Sequence, residues 1–509
     1  MSSKVFSAVT LGLDGLAVEV EVDILSQGLH AFTLVGLPDP SVKESRDRVS
    51  SALKNTGFKP PHHSGRVTAN LAPADVPKNA PIYDLPLAVA FLIATGQINI
   101  DPTKKLFFGE LSLSGETRRV HGVLPIALFA KEAGFEELYL PAENAREAAL
   151  VSGISVFPVT DLLSLAKHFS GEKIIAPLPQ TEFEALGSDP GSADMSSIRG
   201  QEQAKRAMEI AAAGGHNILL SGAPGSGKTL LARALPSILP KLTFEESLEV
   251  TKIFSVAGLL SKTESLVRER PFRSPHHGAS AVSLVGGGTF PRPGEISLAH
   301  RGILFLDEFP EFSRQVIENL RQPLEEGTVT VSRAKGTHRF PARFTLVAAM
   351  NPCPCGFHGD MERQCICPPF AISKYRRKIS GPILDRIDLQ VSVPRMKVEK
   401  MEDGVDGEKS VDIRERVERA RDLQRKRFVD SACLSNSEMS GEMVRTHCIL
   451  DDASKEVLRN AVSKYRLSAR AYHRILKVAR TIADLAGEEK IVMMHIAEAL
   501  QYRFTEEEN

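Results

Sequence analysis

The segment from Asn217 to Thr229 reads Asn-Ile-Leu-Leu-Ser-Gly-Ala-Pro-Gly-Ser-Gly-Lys-Thr. An apolar run, Ile218 to Leu220, leads into a G-x-x-x-x-G-K-T pattern and then into the helix-forming Leu-Leu-Ala-Arg-Ala-Leu. The chemistry requires that order. Glycines let the loop formed by Gly222, Ala223, Pro224, Gly225, Ser226 and Gly227 curl, so that backbone N–H groups turn inward at phosphate oxygens. Lys228 then reaches the β- and γ-phosphates, Thr229 ligates Mg²⁺, and the helix start adds its positive dipole end. The segment predicts a site for ATP with Mg²⁺.

A second apolar strand, Ile303 to Leu306, closes on two acids, Asp307 and Glu308. Downstream of a phosphate loop, Asp307 is expected to hold Mg²⁺ through water, and Glu308 to polarise the water that attacks the γ-phosphate. A third run, Phe344 to Met350, ends at Asn351, an amide able to orient that water or sense the γ-phosphate. Arg386 stands beside another strand start, where an arginine is also often a plain ion-pair partner. Arg470 and Arg474 open a C-terminal helical pattern.

The elements that must position these groups follow from the rest of the chain. At 509 residues it is too long for one core, and roughly three domains are expected. Apolar content of 42% and charged content of 25% are those of a soluble globular protein. No apolar run reaches membrane-spanning length and the N-terminus carries no signal-peptide pattern. Six cysteines, four of them clustered, point to a reducing, cytoplasmic setting. Formal net charge is +0, so any nucleic-acid contact must come from local basic patches.

Linker-like composition at 176–197 and at 399–410 separates three regions. The first alternates β-like runs (Leu16 to Asp23, Arg66 to Leu71) with helical ones (Ser41 to Asn55, Leu85 to Thr95). The second alternates strand and helix around the phosphate loop, which predicts a parallel, three-layer sheet. From Val411 on, only helical patterns remain, including Arg470 to Leu485.

In this order the motifs resemble the AAA+ ATPases: Walker A, Walker B, a sensor-1 asparagine at Asn351, an arginine finger at Arg386 and a sensor-2 arginine at Arg470. Pro271 to His277, Gly286-Gly-Gly, Pro293 to Gly302, Asn351-Pro-Cys-Pro-Cys-Gly and Ser468 to Leu485 narrow the resemblance to magnesium-chelatase-like ATPases, and within them to the bacterial YifB/ComM family. The resemblance implies a ring, expected to be a hexamer, in which Arg386 reaches a neighbour's nucleotide. Its ComM members are branch-migration helicases, so it also implies DNA as partner. In that clade a helix insertion in the long interval between the Walker motifs, and a hairpin before sensor 1, face the pore. The residues support a hairpin independently: Thr328 to Arg333 and Thr337 to Ala348 are β-like and flank a basic tip. There Arg333, Lys335 and Arg339 are candidate DNA contacts; a solvated charged turn is the alternative.

Pro77 to Pro81, Phe108 to Glu116 and Leu138 to Asn144 resemble the Lon-type proteolytic domain. Ile82 and Leu124 occupy the places of its serine and lysine, and neither can do that chemistry. A relocated dyad would need Ser112 or Ser114 with Lys78. Cys353-Pro-Cys355 and Cys365-Ile-Cys367 offer four soft ligands suited to tetrahedral Zn²⁺, although C-x-C is tighter than the usual gap of about two to four residues; reduced structural cysteines are the other reading. The pairs His62-His63 and His276-His277 read as loop or packing residues.

The sequence thus predicts an α/β chain. It comprises a non-proteolytic Lon-protease-like (ribosomal S5 domain 2-like) α+β domain over 1–175, a linker at 176–197, an AAA+ P-loop core over 198–398 and a C-terminal helical lid over 411–506. The expected function is an ATP-driven homo-oligomeric motor on DNA, away from membranes. A porphyrin-metallating chelatase subunit and an ATP-gated scaffold are the alternatives. Lys228→Ala is expected to abolish ATP binding, and Glu308→Gln to retain ATP without turnover. Nucleotide binding and phosphate release measure both, and wild-type turnover by Glu308→Gln would remove that acid from its role.

Overall fold

The computed structural model describes residues 2–503 apart from 26–29, 37–38, 77, 79–80, 182–192, 262–263, 289–290, 334–335, 361, 396–406, 432 and 466. They fall into two compact units: Met1–Glu184 with Ser247–Val267, and Ala185–Glu246 with Arg268–Asn509.

In the first unit, strand Asp14–Leu25 shows why a sheet forms. Val18, Val20, Val22 and Ile24 are buried while Glu21 and Asp23 face solvent, the period-two alternation of a half-covered strand. It pairs antiparallel with Ser2–Leu11 and Arg66–Ala72. The sheet runs Ala31–Val35, Arg66–Ala72, Asp14–Leu25, Ser2–Leu11, Lys105–Phe107, Glu137–Pro141, Ser155–Val159. Helix Asp84–Ala94 is apolar nearly all round and packs on its two long central strands. The buried Asp84 carboxylate at the helix start accepts hydrogen bonds from Arg48 Nε (2.7 Å) and from the Leu111 N–H (3.2 Å), so burial leaves no unpaired charge.

Ser247–Val267 lies in sequence between the phosphate loop and Asp307, yet its partners are in the first unit. Ser255 Oγ donates to the buried Glu147 (2.5 Å), its carbonyl accepts from the Gly122 N–H (3.1 Å), and Arg119 donates to the Leu260 carbonyl (2.9 Å). The nucleotide-binding region thus contributes a segment to the N-terminal unit, although the sequence reading keeps 198–398 together. In the same interval Gly286–Gly287 and Arg292–Pro293 form a short antiparallel pair.

The second unit is built on a five-stranded sheet in the order Phe272–Arg273, Ile303–Leu306, Thr345–Met350, Ile218–Ser221, Leu389–Ser392, parallel throughout. Ile303–Leu306 and Thr345–Met350 are fully buried, as the apolar runs require. The stretch Thr337 to Ala348, β-like in sequence and overlapping the run Phe344 to Met350, is divided between two sheets. Gly336–Pro341 pairs antiparallel with Thr328–Arg333, and the hairpin closes where the Ala342 N–H reaches the Gly327 carbonyl (2.7 Å). At Thr345 the N–H turns to the Gly302 carbonyl (2.9 Å) and the chain joins the parallel sheet. A change of hydrogen-bond partner, invisible in the side-chain pattern, splits the run.

The helices beyond residue 410 share one apolar core with this sheet. Helix Ala469–Ala486 turns Ile475, Leu476, Ala479, Ile482 and Ala483 inward, and Gln424 on helix Ser410–Arg427 donates to the Ala213 carbonyl (3.0 Å). Among the described residues no helix is long and apolar enough to cross a membrane.

Gly302 immediately precedes strand Ile303–Leu306, which leads into Asp307. A Cβ added there would lie 2.0 Å from the Pro271 carbonyl oxygen. Gly302→Ala must therefore push the neighbouring backbone aside, and it is expected to lower unfolding free energy by about 1–3 kcal/mol. Denaturant unfolding measures this.

Candidate nucleotide site

Parallel pairing puts the chemistry at one edge of the sheet. Ser221 is level with Met350, and Leu306 with Ala348. The residues that follow (Gly222, Asn351, and Asp307 with Glu308) therefore leave the strands' carboxyl ends together, the usual place for a ligand in such sheets.

Within the phosphate loop each glycine has its own reason. A Cβ at Gly222 would fall 2.2 Å from the Val393 carbonyl oxygen, so only glycine fits. Gly225 and Gly227 meet nothing within 4 Å, but their φ angles of 77° and 94° belong to glycine's left-handed region. Ser226 Oγ is buried without a hydrogen-bond partner among the described residues. An unsatisfied hydroxyl inside a glycine loop at a helix start fits a phosphate acceptor. Gln201 and Arg395 brace the loop, donating to the Ser226 carbonyl (3.4 Å) and the Pro224 carbonyl (3.2 Å).

Lys228 folds back over this loop. Its Nζ donates to the carbonyls of Gly222 (2.7 Å) and Ala223 (3.0 Å) and to Asn351 Oδ1 (3.2 Å). Burial pulls the ammonium below its ordinary pKa, opposed by the nearby Asp307. Thr229 Oγ1 donates to Asp307 Oδ2 (2.9 Å), so the hydroxyl and carboxylate that the sequence predicts as magnesium ligands face one another. Glu308 has φ 51° and ψ 43°, a left-handed conformation strained for a residue with a side chain. Its N–H donates to Asp307 Oδ1 (2.9 Å), and its side chain is 56% exposed.

Sequence reasoning missed one neighbour. His277 Nδ1 lies 3.2 Å from Glu308 Oε2. The signal was its place just beyond strand Phe272–Arg273, which pairs with the strand carrying the acids. Its ring stands 4.0 Å from that of His276, whose Nδ1 accepts the Gly278 N–H.

The two arginines stand elsewhere. Arg386 is 6% exposed and donates to the Pro382 carbonyl and to Glu325, while its Nε has no partner among the described residues. Arg470 is 67% exposed and approaches the same Glu325 at 3.9 Å. One carboxylate thus collects both side chains. Arg474, one turn further, ion-pairs with the buried Asp388, which also faces His216 Nδ1 (3.3 Å). Burial alone would raise the Asp388 carboxyl, yet Arg474 and His216 overcome it and hold it well below the usual carboxylate range.

Of the candidate DNA contacts, Arg339 is exposed on strand Gly336–Pro341. Arg333 ends the partner strand, and Lys335 lies outside the described residues. In the first unit Ile82 and Leu124 are buried. Lys78 Nζ donates to the Pro73 carbonyl. Ser112 Oγ is engaged by Ser114 Oγ (2.8 Å) and the Glu116 N–H (3.0 Å). Cys353, Cys355, Cys365 and Cys367 converge, with sulfurs all within 4.8 Å of one another.

A parallel sheet with a phosphate loop, paired acids and an asparagine at its carboxyl edge is an AAA+ ATPase-type arrangement. Residues 194–401 match the family described as magnesium chelatase, subunit ChlI; residues 20–144 match subunit ChlI of Mg-chelatase, and 407–503 its C-terminal part. Competence protein ComM of Haemophilus influenzae is 44% identical over 503 residues, covering 98% of this chain and 97% of that protein. The uncharacterised protein YifB of Escherichia coli is 40% identical over 504 residues, covering 98% and 97%. The magnesium-chelatase 38 kDa subunit of Cereibacter sphaeroides is 30% identical over 173 residues, 31% of this chain and 52% of that subunit. The chain belongs to the ComM and YifB family of magnesium-chelatase-like proteins.

Asp388→Asn removes one partner of a buried charged group and leaves Arg474 and His216 facing a neutral amide. A loss of about 3–5 kcal/mol is expected at neutral pH. Because the folded-state pKa is depressed, this contribution is present above the unfolded value of about 3.9 and fades as pH falls below it. Unfolding curves of wild type and variant should therefore converge in acid.

Proposed function

We propose that this chain is an ATP-hydrolysing ring motor that acts on DNA. The hydrolytic half is carried by one observation: Lys228, Asn351, Thr229, Asp307 and Glu308 meet at a single sheet edge. Loop N–H groups and Lys228 would bind the phosphates. Thr229 and Asp307 would hold Mg²⁺, which would supply charge neutralisation to the phosphates. Glu308, exposed and beside His277, would accept a hydrogen bond from the attacking water, with Asn351 orienting it from the adjacent strand.

A ring, with a hexamer as the working form, follows if Arg386 serves a neighbour's nucleotide. Its pairing with Glu325 within one chain means that it must first leave that carboxylate. The N-terminal unit is read as a non-proteolytic platform: the dyad positions hold buried Ile82 and Leu124, and both Lys78 and Ser112 are engaged elsewhere.

The DNA half is supported by the two-stranded hairpin before Asn351, with Arg339 exposed on it and Arg333 ending its first strand; Lys335, between the two strands in sequence, lies outside the described residues. Alignment along nearly the whole length of a competence protein favours this reading over porphyrin metallation, since the chelatase subunit aligns with 31% of the chain. ATPase activity measured without DNA and with single-stranded, duplex and branched DNA tests the proposal; indifference to all three would overturn it. Replacing Arg333 and Lys335 by Ala should weaken binding to every DNA sequence and flatten its salt dependence, by about one unit of log–log slope for each phosphate no longer neutralised. Basal hydrolysis should persist and DNA stimulation should vanish.

A further inference from the structure

The cysteine loop supplies no group to the nucleotide chemistry, and its geometry is specific. Sulfur–sulfur distances are 3.4 Å for Cys353–Cys355 and 3.6 Å for both Cys353–Cys365 and Cys355–Cys365. Four thiolates around a single zinc ion, at about 2.3 Å per bond, stand about 3.8 Å apart. The four are free thiols, and their spacing leaves room for one ion rather than for a cluster of several irons. Two backbone N–H groups already point at sulfur: that of Cys355 at Cys367 Sγ (3.3 Å) and that of Cys367 at Cys365 Sγ (3.4 Å). Such outer contacts orient and stabilise thiolate ligands.

We propose that Cys353, Cys355, Cys365 and Cys367 hold one zinc ion, and that this clip presses its loop against the phosphate loop. Cys353 follows two residues after Asn351, whose side chain meets Lys228. Next to Cys355, Gly356 has φ 85°, and a Cβ there would lie 2.6 Å from Pro224 Cδ, so the clip's backbone rests directly on the phosphate loop. Arg395 completes the link. It donates to the Pro224 carbonyl (3.2 Å), sits 5.2 Å from the Phe357 ring centroid and pairs with Asp360 Oδ2 (3.5 Å). A closed S₄ site keeps no open position for chemistry, so the ion's work is to hold shape. The zinc assignment stands on the thiols alone; its coupling to nucleotide rests on the ATP site proposed above.

The test uses the full chain purified without added metal. Metal analysis should find close to one zinc per chain. Replacing that zinc by Co²⁺ should give the thiolate-to-metal and ligand-field absorption of a tetrahedral S₄ site. Cys365→Ser combined with Cys367→Ser should lose the ion. Folded wild-type chain that is metal-free and takes up neither added Zn²⁺ nor Co²⁺ would overturn the site, whatever the fate of the variant. For the coupling, Gly356→Ala should keep its zinc while ATP affinity falls about tenfold, the lower end of what overpacking costs, because the added methyl, 2.6 Å from Pro224 Cδ, displaces the phosphate loop. Unchanged affinity in both the zinc-stripped chain and Gly356→Ala would overturn the coupling and leave the zinc. Failure of zinc-loaded wild type to bind ATP would instead strike the ATP site.

Discussion

Strand Ile218–Ser221 lies between Thr345–Met350 and Leu389–Ser392 and runs parallel to both. The chemistry depends on the register of those pairings. With Ser221 opposite Met350, the phosphate loop and Asn351 emerge side by side, and Lys228 reaches the amide oxygen at 3.2 Å. A slip of one residue would carry Asn351 about 3.3 Å along the strand and out of hydrogen-bond reach. The same edge receives Asp307 and Glu308, because Leu306 is opposite Ala348. Buried apolar strands hold this alignment, so the nucleotide site is as firm as the core beneath it.

A buried polar knot ties the helical region to the same sheet. Asp388 immediately precedes strand Leu389–Ser392. It receives Arg474 and His216, and His216 Nε2 in turn faces Thr481 Oγ1 at 2.8 Å. Two of these partners lie on helix Ala469–Ala486. Such a network is costly when incomplete and specific when satisfied. It fixes the rotation of the helix that carries Arg470, and hence the meeting of Arg470 and Arg386 at Glu325.

The N-terminal unit is organised around its sheet and the buried helix Asp84–Ala94, and Ile82 and Leu124 are both buried in its core. Ser247–Val267 belongs to this unit by packing, although the chain enters and leaves it within the nucleotide-binding region. Helix Phe244–Ala257 thus begins in the nucleotide-binding region and continues into a segment held by Glu147 and Gly122.

By itself the sequence determined the phosphate loop, the paired acids, the asparagine, the helical C-terminal region and the three central strands that carry the site, Ile218–Ser221, Ile303–Leu306 and Thr345–Met350. These are local patterns, in which the spacing of glycine, charge and apolar residues is the physical cause of the structure. Tertiary structure decided the rest, because it depends on which distant groups share a surface. His277 beside Glu308 comes from pairing between neighbouring strands. Arg386 is an obvious arginine in sequence, but only packing shows it buried against Glu325. The run Thr337 to Ala348 carries one β-like pattern and serves two sheets, since backbone partners and not side chains divide it. The four cysteines announce soft ligands, but their convergence to within 4.8 Å, and the seat of Gly356 on Pro224, arise only when the loop closes. Local composition specifies elements; contacts between residues far apart in the chain specify a site.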